Sequence, residues 1–478
     1  MLWLCIALPQ LSLEALHSDA ADRAVVVTAC VGNTRWVVCS NAAAERARLK
    51  PGMNYGAALA IHPDMTVLER NLKAERAALE RLAAWAYQFS STVIPGTPAE
   101  EPQAARTCTL WLEIGASLKL FGGFRTFITH LEHELGQLHY SYMLGIAPTL
   151  EGAALLARAG IRLVTTTPEA FHARIRNLPI QTLALAPDVT RALHTTGVRT
   201  IGLLLELPRV SVVKRFGVEL GNFLDRLLGM APDPRPAFQL PHQYDAHFHF
   251  ELEVGNSEAL LFPLRRLLYE FAGFLRARDT GVQHFTITFV HRAAAPTRLR
   301  VGMSMSERSA ERFFALVREQ LERLELPAPT LALHLSAEQF SAPSALQSNL
   351  FDSSLQQNED LAHTLDRIAA RLGAERIHAL KSVADHRPEA SWAAAALDER
   401  RADLHFPDRP LWLLPEPKPL QSSTMPQIVA GPERIEAGWW DTGVVQRDYY
   451  VVHTSQGADL WVYRDLASRN WYLHGFWS

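Results

Sequence analysis

Residues 2–14 read Leu-Trp-Leu-Cys-Ile-Ala-Leu-Pro-Gln-Leu-Ser-Leu-Glu. Seven consecutive apolar residues precede Pro9, which predicts a strand that is buried on both faces. This run is much shorter than the roughly 20 residues of a membrane-spanning helix. No lysine or arginine precedes it, so it does not have the form of a secretion signal. No stretch of the sequence has about 18 consecutive apolar residues, as a membrane-spanning helix would require. We therefore expect no membrane partner and a cytoplasmic location.

Strand and helix patterns alternate after this first strand. Strands are predicted at 24–30, 35–40, 108–114 and 140–147, and helices at 72–91, 125–138 and 150–158. Such interleaving predicts an α/β layer. Glycines separate short helical segments from about 166 to 235. Residues 244–340 then follow the order β-α-β-β-α-β, the split ferredoxin-like arrangement, with elements at 246–254, 257–278, 282–292, 297–304, 307–325 and 329–336.

The C-terminal part, from about residue 341, differs in amino-acid composition from the part before it. Residues 341–358 are rich in Ser, Gln and Asn, which predicts an exposed linker. A helix is predicted at 364–382, followed by a proline-rich passage at 407–419. Aromatic and polar residues alternate from Trp439 to Trp477, which predicts a small β-rich module. The fold class expected from the whole pattern is therefore α+β and multidomain.

Composition limits the possible partners. The chain has 478 residues, of which 48% are hydrophobic and 20% charged, as expected for three or four folded domains. Its formal net charge of −3 excludes a generally basic protein that wraps nucleic acid, so any DNA contact has to come from local patches. The four cysteines form no C-x-x-C pair. We therefore expect a reducing compartment, no disulfides and no structural zinc.

The element order resembles that of Y-family translesion DNA polymerases, with palm, fingers, thumb and little finger. Several strings resemble family segments: residues 2–14 the first palm strand, 40–53 the fingers, 145–148 the palm, and 197–202 and 214–217 the thumb. The resemblance implies the following division. Residues 1–22 and 72–165 are palm-like, 23–71 fingers-like, 166–240 thumb-like and helical, and 241–340 little-finger-like; 341–358 form a linker, and 359–478 a C-terminal partner-docking region.

The resemblance also locates the catalytic metal positions. Family members hold two Mg²⁺ ions with carboxylates on two neighbouring palm strands. These positions fall on Cys5, Ala7, Cys108 and Thr109, and no acidic residue occurs in 1–13 or 102–112. A thiol is a soft ligand and Mg²⁺ is a hard ion, so the cysteines are poor substitutes. We expect no catalytic residues, no metal and no cofactor, in short a vacant polymerase site.

The nucleotide pocket of the family is also altered. The aromatic residue that excludes the ribose 2′-hydroxyl falls on Gln10, and the triphosphate-binding Tyr and Arg of the fingers fall on Ala42 and Glu45. A carboxylate at position 45 would repel phosphate. By position, Lys50 is the only triphosphate-side cation that remains.

A vacant site is typical of one subfamily. The strings at 2–14 and 120–123 and the aromatic C-terminal end resemble the ImuB subfamily, whose members are catalytically inactive and act in the SOS response. The resemblance implies a hub for translesion synthesis, DNA repair and damage-induced mutagenesis. Its implied partners are DNA, the sliding clamp (the beta subunit of the replicase), an error-prone replicative-type polymerase alpha subunit, and ImuA, a RecA-like accessory protein. Two alternatives remain: an active polymerase that uses Glu100 and Glu101 as displaced carboxylates, and a sensor of damaged DNA.

The linker contains Gln347-Ser348-Asn349-Leu350-Phe351, which resembles the bacterial clamp-binding pentapeptide Q-x-x-L-F. An extended peptide of this kind places Gln347 in a polar pocket and Leu350 and Phe351 in an apolar groove. The alternative is a helix end that packs its Leu and Phe.

Candidate DNA-binding residues are Lys214 and Arg215 in the thumb-like segment and Arg292, Arg298 and Arg300 in the little-finger-like segment. No acid occurs in 280–306, so these arginines could line one face and contact phosphates. The alternative is a solvated polar face.

The aromatic tail supplies the candidates for partner docking. They are Trp439, Trp440, Trp461 and Trp471, because tryptophan is favoured at interaction hot spots. The alternative is that these side chains form the core of the β-rich module.

Overall fold

The computed structural model describes residues 1–16, 23–98, 107–161, 167–342, 353–395, 408–420, 427–441, 443–455 and 457–477. The chain forms two compact units, Met1–Arg371 and Leu372–Ser478. In chain order, the elements of the first 160 residues are β1 (Trp3–Leu8), α1 (Leu11–Glu14), β2 (Val25–Val31), β3 (Thr34–Ser40), α2 (Ala42–Arg46), α3 (Tyr55–Ile61), β4 (Thr66–Glu69), α4 (Leu72–Ala86), β5 (Val93–Pro95), β6 (Cys108–Glu113), α5 (Phe124–Leu138), β7 (Met143–Ala147) and α6 (Leu150–Arg158).

The first sheet has the order β5-β6-β1-β7, and all neighbouring strands are antiparallel. Its central strand β1 is buried along its whole length, as the apolar run predicts. Leu4 and Ile6 pack into the main core with α4 and α5, whereas Cys5 and Ala7 point to the opposite face. Helix α6 packs against that opposite face. It lies so close to β7 that a Cβ atom at Gly145 would come within 2.2 Å of the Ala153 carbonyl oxygen.

The strands that lie between α1 and α4 in the sequence form a smaller sheet of order β3-β2-β4. Strands β2 and β3 are antiparallel, and β2 and β4 are parallel. Asn41 joins this sheet to α2, because its side-chain oxygen accepts hydrogen bonds from the backbone N–H groups of Ala44 and Val25. Satisfying free N–H groups at a helix N-terminus in this way is the usual role of such a cap.

Five short helices follow: α7 (Pro168–Ile175), α8 (Pro187–Thr195), α9 (Ile201–Glu206), α10 (Arg209–Phe216) and α11 (Val218–Leu228). Their apolar residues form one cluster with α6 and with Trp3, Cys5 and Trp111 of the first sheet. The second face of that sheet is therefore covered by helices.

The next segment contains β8 (Tyr244–Val254), α12 (Ser257–Ala277), β9 (Val282–His291), β10 (Thr297–Glu307), α13 (Ala310–Leu321) and β11 (Thr330–Ala337). The predicted β-α-β-β-α-β order is present. The sheet order is β10-β9-β11-β8 with antiparallel neighbours, so β11 lies between β8 and β9. One face of this sheet packs on α12 and α13, and the other carries polar residues.

Helix α12 also packs on α4. A single hydrophobic core therefore spans the β5-β6-β1-β7 sheet and the β10-β9-β11-β8 sheet. At the contact, Glu270 of α12 is fully buried and accepts hydrogen bonds from Arg81 Nε (2.8 Å) and Tyr140 Oη (3.1 Å). Arg81 also donates to the His247 carbonyl oxygen at 3.0 Å. Gly273 allows the close approach, because a Cβ atom there would lie 2.3 Å from the Trp85 ring.

Helix α14 (Ser353–Leu372) differs from its prediction. The linker was predicted to extend to residue 358 and the helix to cover 364–382, whereas the helix begins at Ser353 and β12 occupies Ala379–Ser382. Polarity is common to linkers and to exposed helix faces, so composition alone could not separate them. Gly373, with φ of +98°, follows the helix and explains its earlier end.

The second unit contains β12 (Ala379–Ser382), β13 (Trp392–Ala395), β14 (Trp412–Leu420), β15 (Gln427–Ala437), β16 (Val445–His453), β17 (Asp459–Asp465) and β18 (Trp471–Phe476). Strands β12 and β13 pair with each other, and the other five form a sheet of order β14-β18-β17-β16-β15. Its core includes Tyr449, which stacks on Trp461 at 4.1 Å and shares a hydrogen bond of 2.8 Å with His474. The predicted α+β class with a β-rich C-terminal extension is thus confirmed.

Within the described ranges, none of the helices combines the length and the apolar character that crossing a bilayer demands.

We expect Glu270→Gln to destabilise the first unit strongly. The change leaves the buried Arg81 without its counter-ion, and breaking one side of a buried pair costs about 3–5 kcal/mol. The free energy of unfolding, measured by denaturant titration, should fall by this amount. Asp279→Asn is the matched control, because the Arg308–Asp279 pair is exposed and worth at most about 1 kcal/mol. Equal losses in the two variants would contradict a central role for Glu270.

Candidate functional site

Cys5, Ala7, Cys108 and Thr109, which the resemblance aligns with the family's metal ligands, lie at the centre of the first sheet. Cys5 pairs with Trp111, Ala7 with Thr109, and Leu8 with Cys108 across β1 and β6. Cys5 and Ala7 are both fully buried. Cys108 belongs to the main core on the other face, so the two thiols do not face each other.

The chemistry of these positions is that of neutral thiols. Burial raises the pKa of Cys5 to about 12, and burial likewise raises the pKa of Cys108 to about 12. Both side chains are therefore protonated at neutral pH, whereas metal ligation by cysteine requires the thiolate.

An ion-pair cluster covers the sheet beside Cys5. The guanidinium of Arg235 lies 4.5 Å from the centre of the Trp111 ring and bonds to Glu151 (2.6 Å) and Asp233 (2.7 Å). The indole N–H of Trp111 donates to the Leu150 carbonyl oxygen at 2.9 Å. The sequence carries no local sign of this cluster, because its charged members come from α6 and from a proline-rich segment some 80 residues away.

Two buried or half-buried carboxylates lie near the centre, and both have partners. Glu75 on α4 is fully buried, and both its oxygens bond to Arg70, at 2.6 and 2.7 Å. Glu113 accepts hydrogen bonds from the backbone N–H groups of Leu2 and Gly115. The displaced-ligand candidates Glu100 and Glu101 lie outside the described residues.

The residues at the family's nucleotide-pocket positions surround the small sheet. Gln10 precedes α1. Ala42 and Glu45 lie on α2, where both are exposed, and Lys50 is exposed in the turn that follows α2.

The thumb-like candidates Lys214 and Arg215 are exposed in the last turn of α10. Gly217 follows with φ of +90°, and α11 begins directly after it. The two cations thus lie at the tip of a helical hairpin, where a phosphate backbone can approach them.

The little-finger-like arginines are not all equivalent. Arg298 and Arg300 are exposed on the polar face of β10, opposite Thr288 and Thr286 of β9. Arg292 lies beyond the end of β9, and its Nε bonds to Glu253 at 2.6 Å. The absence of acids in 280–306 therefore did not mean an absence of acids nearby, because Glu253 comes from β8.

The same polar face carries a cluster that sequence analysis missed. His334 of β11 pairs directly with His247 of β8, and Asp245 lies two residues before His247 on the same face. The Asp245 Oδ1 atom accepts from His247 Nε2 at 2.9 Å and from His334 Nε2 at 2.8 Å. No sequence motif signals this cluster, because strand pairing brings together residues that are 87 positions apart.

The clamp-motif residues Gln347, Leu350 and Phe351 lie outside the described residues. Helix α14 begins two residues after Phe351.

The four candidate tryptophans of the second unit fall into two groups. Trp439 and Trp440 are 78% and 55% exposed and lie in the turn between β15 and β16. Trp461 is only 3% exposed, which corrects its assignment to a docking surface: its stacking on Tyr449 places it in the core. Trp471 is half-buried against Tyr450.

The exposed pair is held in a fixed turn. Arg387 bonds to both oxygens of Asp441, at 3.0 and 2.7 Å, and to the Gly443 carbonyl oxygen at 3.1 Å. These hydrogen bonds from Arg387 lower the pKa of Asp441. The guanidinium also lies 5.8 Å from the centre of the Trp440 ring.

Comparison with known proteins places this geometry in a family context. Residues 11–158 match the impB/mucB/samB family. The chain is 28% identical over 468 residues to Protein ImuB from two strains of Caulobacter vibrioides, which covers 90% of this chain and all of the relative. The predicted resemblance to the Y-family polymerases and to ImuB is thereby confirmed.

Solved structures similar to this chain include the crystal structure of DinB from Sulfolobus solfataricus (TM-score 0.39, 13% identity, 72% of this chain and 100% of that chain). They also include an insertion ternary complex of Dbh DNA polymerase (TM-score 0.40, 13% identity, 70% and 98%).

Arg298→Ala together with Arg300→Ala should weaken DNA binding and flatten its dependence on salt. Each lost phosphate contact lowers the slope of log K against log salt by about 0.7–0.9. We expect a reduction of up to about 1.8 for the pair, measured by fluorescence anisotropy of labelled DNA between 50 and about 300 mM salt.

Arg308→Ala is the matched control, since Arg308 lies beyond the end of β10 and pairs with Asp279. Arg292→Ala should change the slope less than either face arginine, because Arg292 is already paired. If the slope of log K against log salt is unchanged in the double variant, Arg298 and Arg300 contact no phosphate and lie on a solvated face.

Proposed function

Taking the similarity to Protein ImuB as the premise, we propose that this chain is a non-catalytic relative of Y-family polymerases. It binds DNA and the sliding clamp and recruits an error-prone polymerase alpha subunit, with ImuA, for translesion synthesis and damage-induced mutagenesis. The observation that carries the proposal is the chemistry of the palm centre, by which we mean Cys5, Ala7, Cys108 and Thr109 in the middle of the first sheet. Buried, neutral Cys5 and Ala7 occupy the positions where polymerization needs exposed carboxylates.

The charge distribution around that centre supports this interpretation. Two-metal catalysis needs anionic oxygen ligands that are free to bind Mg²⁺. Of the described carboxylates near the centre, Glu75 is held by Arg70 and Glu151 by Arg235. Glu113 accepts hydrogen bonds from backbone N–H groups. Arg235 is itself held by two carboxylates, Glu151 and Asp233, so neither of these anions is free to bind a metal ion.

The alternative of an active polymerase would require displaced carboxylates, and Glu100 and Glu101 are the candidates. Neither Glu75 nor Glu113 can take that role without breaking the hydrogen bonds described above.

DNA binding is supported by the exposed Arg298 and Arg300 on one sheet face and by Lys214 and Arg215 at the hairpin tip. Partner recruitment is supported by the Trp439–Trp440 pair. Rigid, exposed aromatic side chains bind partners at low entropic cost, and Arg387 fixes this turn before binding.

Primer extension tests the catalytic part. We expect the purified chain to incorporate no nucleotide on a primed template with Mg²⁺ or Mn²⁺, because no carboxylate occupies the metal positions. The measurement is single-nucleotide extension on a gel, with an active Y-family polymerase as positive control. Extension that Glu100→Gln or Glu101→Gln abolishes would establish the displaced-carboxylate alternative.

The clamp motif has its own test. Leu350→Ala with Phe351→Ala removes two apolar anchors, each worth roughly 1.5–3 kcal/mol when buried. Clamp affinity, measured by isothermal titration calorimetry, should therefore fall at least about tenfold.

Leu361→Ala provides a matched control, because Leu361 is an exposed leucine of α14 outside the motif. Normal clamp binding by the double variant would refute the assignment. A lowered melting temperature would instead place the two side chains in a core. If the chain binds DNA tightly without the clamp, and adding the clamp does not strengthen that binding, the result would favour the alternative of a damaged-DNA sensor.

A further inference from the structure

The polar face of the β10-β9-β11-β8 sheet brings three metal-ligating side chains to one place. Strand pairing aligns two rows across it. One row contains Arg298, Thr288, His334 and His247, and the adjacent row contains Arg300, Thr286, Ser336 and Asp245. The side chains of a row share one face, so Asp245, His247 and His334 are neighbours by register.

The orientation of these side chains converges on one point. Both imidazoles direct Nε2 at the same oxygen, Asp245 Oδ1, at 2.9 and 2.8 Å. Their rings are nearly parallel, with an interplanar angle of 3° and centroids 4.1 Å apart. Both nitrogens are therefore directed at one oxygen atom, and Asp245 and His247 are exposed to solvent there.

The ligand spacing suits a metal ion. Zinc binds histidine nitrogen and carboxylate oxygen at about 2.0–2.2 Å. Ligands at such distances, placed roughly 90–110° apart, are separated by about 3 Å. The observed nitrogen–oxygen separations are close to this value. One nitrogen from each imidazole and one carboxylate oxygen all lie within 4.8 Å of one another.

We propose that Asp245, His247 and His334 form a binding site for a divalent first-row transition ion of the Zn²⁺ class. On binding, each Nε2 proton is lost to solvent and Nδ1 takes up a proton from solvent, so both rings coordinate the ion through Nε2 as neutral imidazoles. Two imidazoles and one carboxylate favour Zn²⁺, Co²⁺ or Ni²⁺ over Mg²⁺ and Ca²⁺, which prefer oxygen ligands. Three protein ligands leave at least one coordination position for water or another donor.

This site is separate from the family's polymerase metal positions. Cys5 and Ala7 lie in the first sheet and under helices, whereas the triad lies on the exposed face of another sheet. The inference does not rest on the proposed function. It also has a practical consequence: metal bound by this chain is not in itself a sign of polymerase activity.

The test uses the full-length chain without a histidine tag. A Cys30→Ser background removes the exposed cysteine among the described residues, because a free thiol could bind Zn²⁺ by itself. Zn²⁺ affinity is measured by competition with a chromogenic chelator. Co²⁺ absorption then reports the ligand type, since nitrogen and oxygen ligation gives no thiolate charge-transfer band.

We expect one equivalent of Zn²⁺ to bind, with no displacement by millimolar Mg²⁺. His247→Gln and His334→Gln should each abolish this equivalent. His249→Gln is the matched control: His249 lies on the same strand and face, its ring 6.4 Å from that of His247, outside the triad. Retained stoichiometry in the two triad variants, or no binding by the parent chain, would overturn the proposal. Circular dichroism of each variant checks that the sheet is intact.

Discussion

A single buried carboxylate, Glu270, joins parts of the chain that the sequence predicts as separate domains. Its two oxygens accept hydrogen bonds from Arg81 on α4 and from Tyr140 before β7. Arg266, one turn earlier on α12, donates to the carbonyl oxygens of Leu138 and Glu14. Because a buried charge is stable only with its partners in place, these bonds fix how α12 lies on α4. That position in turn determines which face of the second four-stranded sheet meets solvent.

The centre of the first sheet, around Cys5 and Ala7, reflects the same cost of burying charge. A catalytic centre has to expose charged oxygens, and a folded core has to bury apolar surface. With Cys5 and Ala7 at its middle, β1 satisfies the second demand, because both of its faces are covered. The thiols of Cys5 and Cys108 stay protonated. Among the charged groups near this centre, Glu151 and Asp233 share Arg235, and Glu75 pairs with Arg70. Glu113 is held by backbone N–H groups instead.

The sequence predicted most elements because local patterns carry them. The apolar run at 2–8, the helical spacing after Asn71 and the alternation in 282–291 each depend on neighbours in the chain. Contacts between distant residues carry no such signal. The Arg235 cluster and the His247–His334 pair arise only when strands and helices come together, and Trp461 and Trp439 look alike until burial separates them. Helix α14 was misplaced because polar residues suit both a linker and an exposed helix.

The Arg235 cluster has an evolutionary consequence. A new aspartate at position 5 would appear near the Arg235 guanidinium, which already stacks on Trp111. The new carboxylate would bind that cation before it could bind a metal ion, and it would have to do so inside an apolar core. Metal binding at this position would therefore require changes at Arg235 or its partners as well as a carboxylate at position 5.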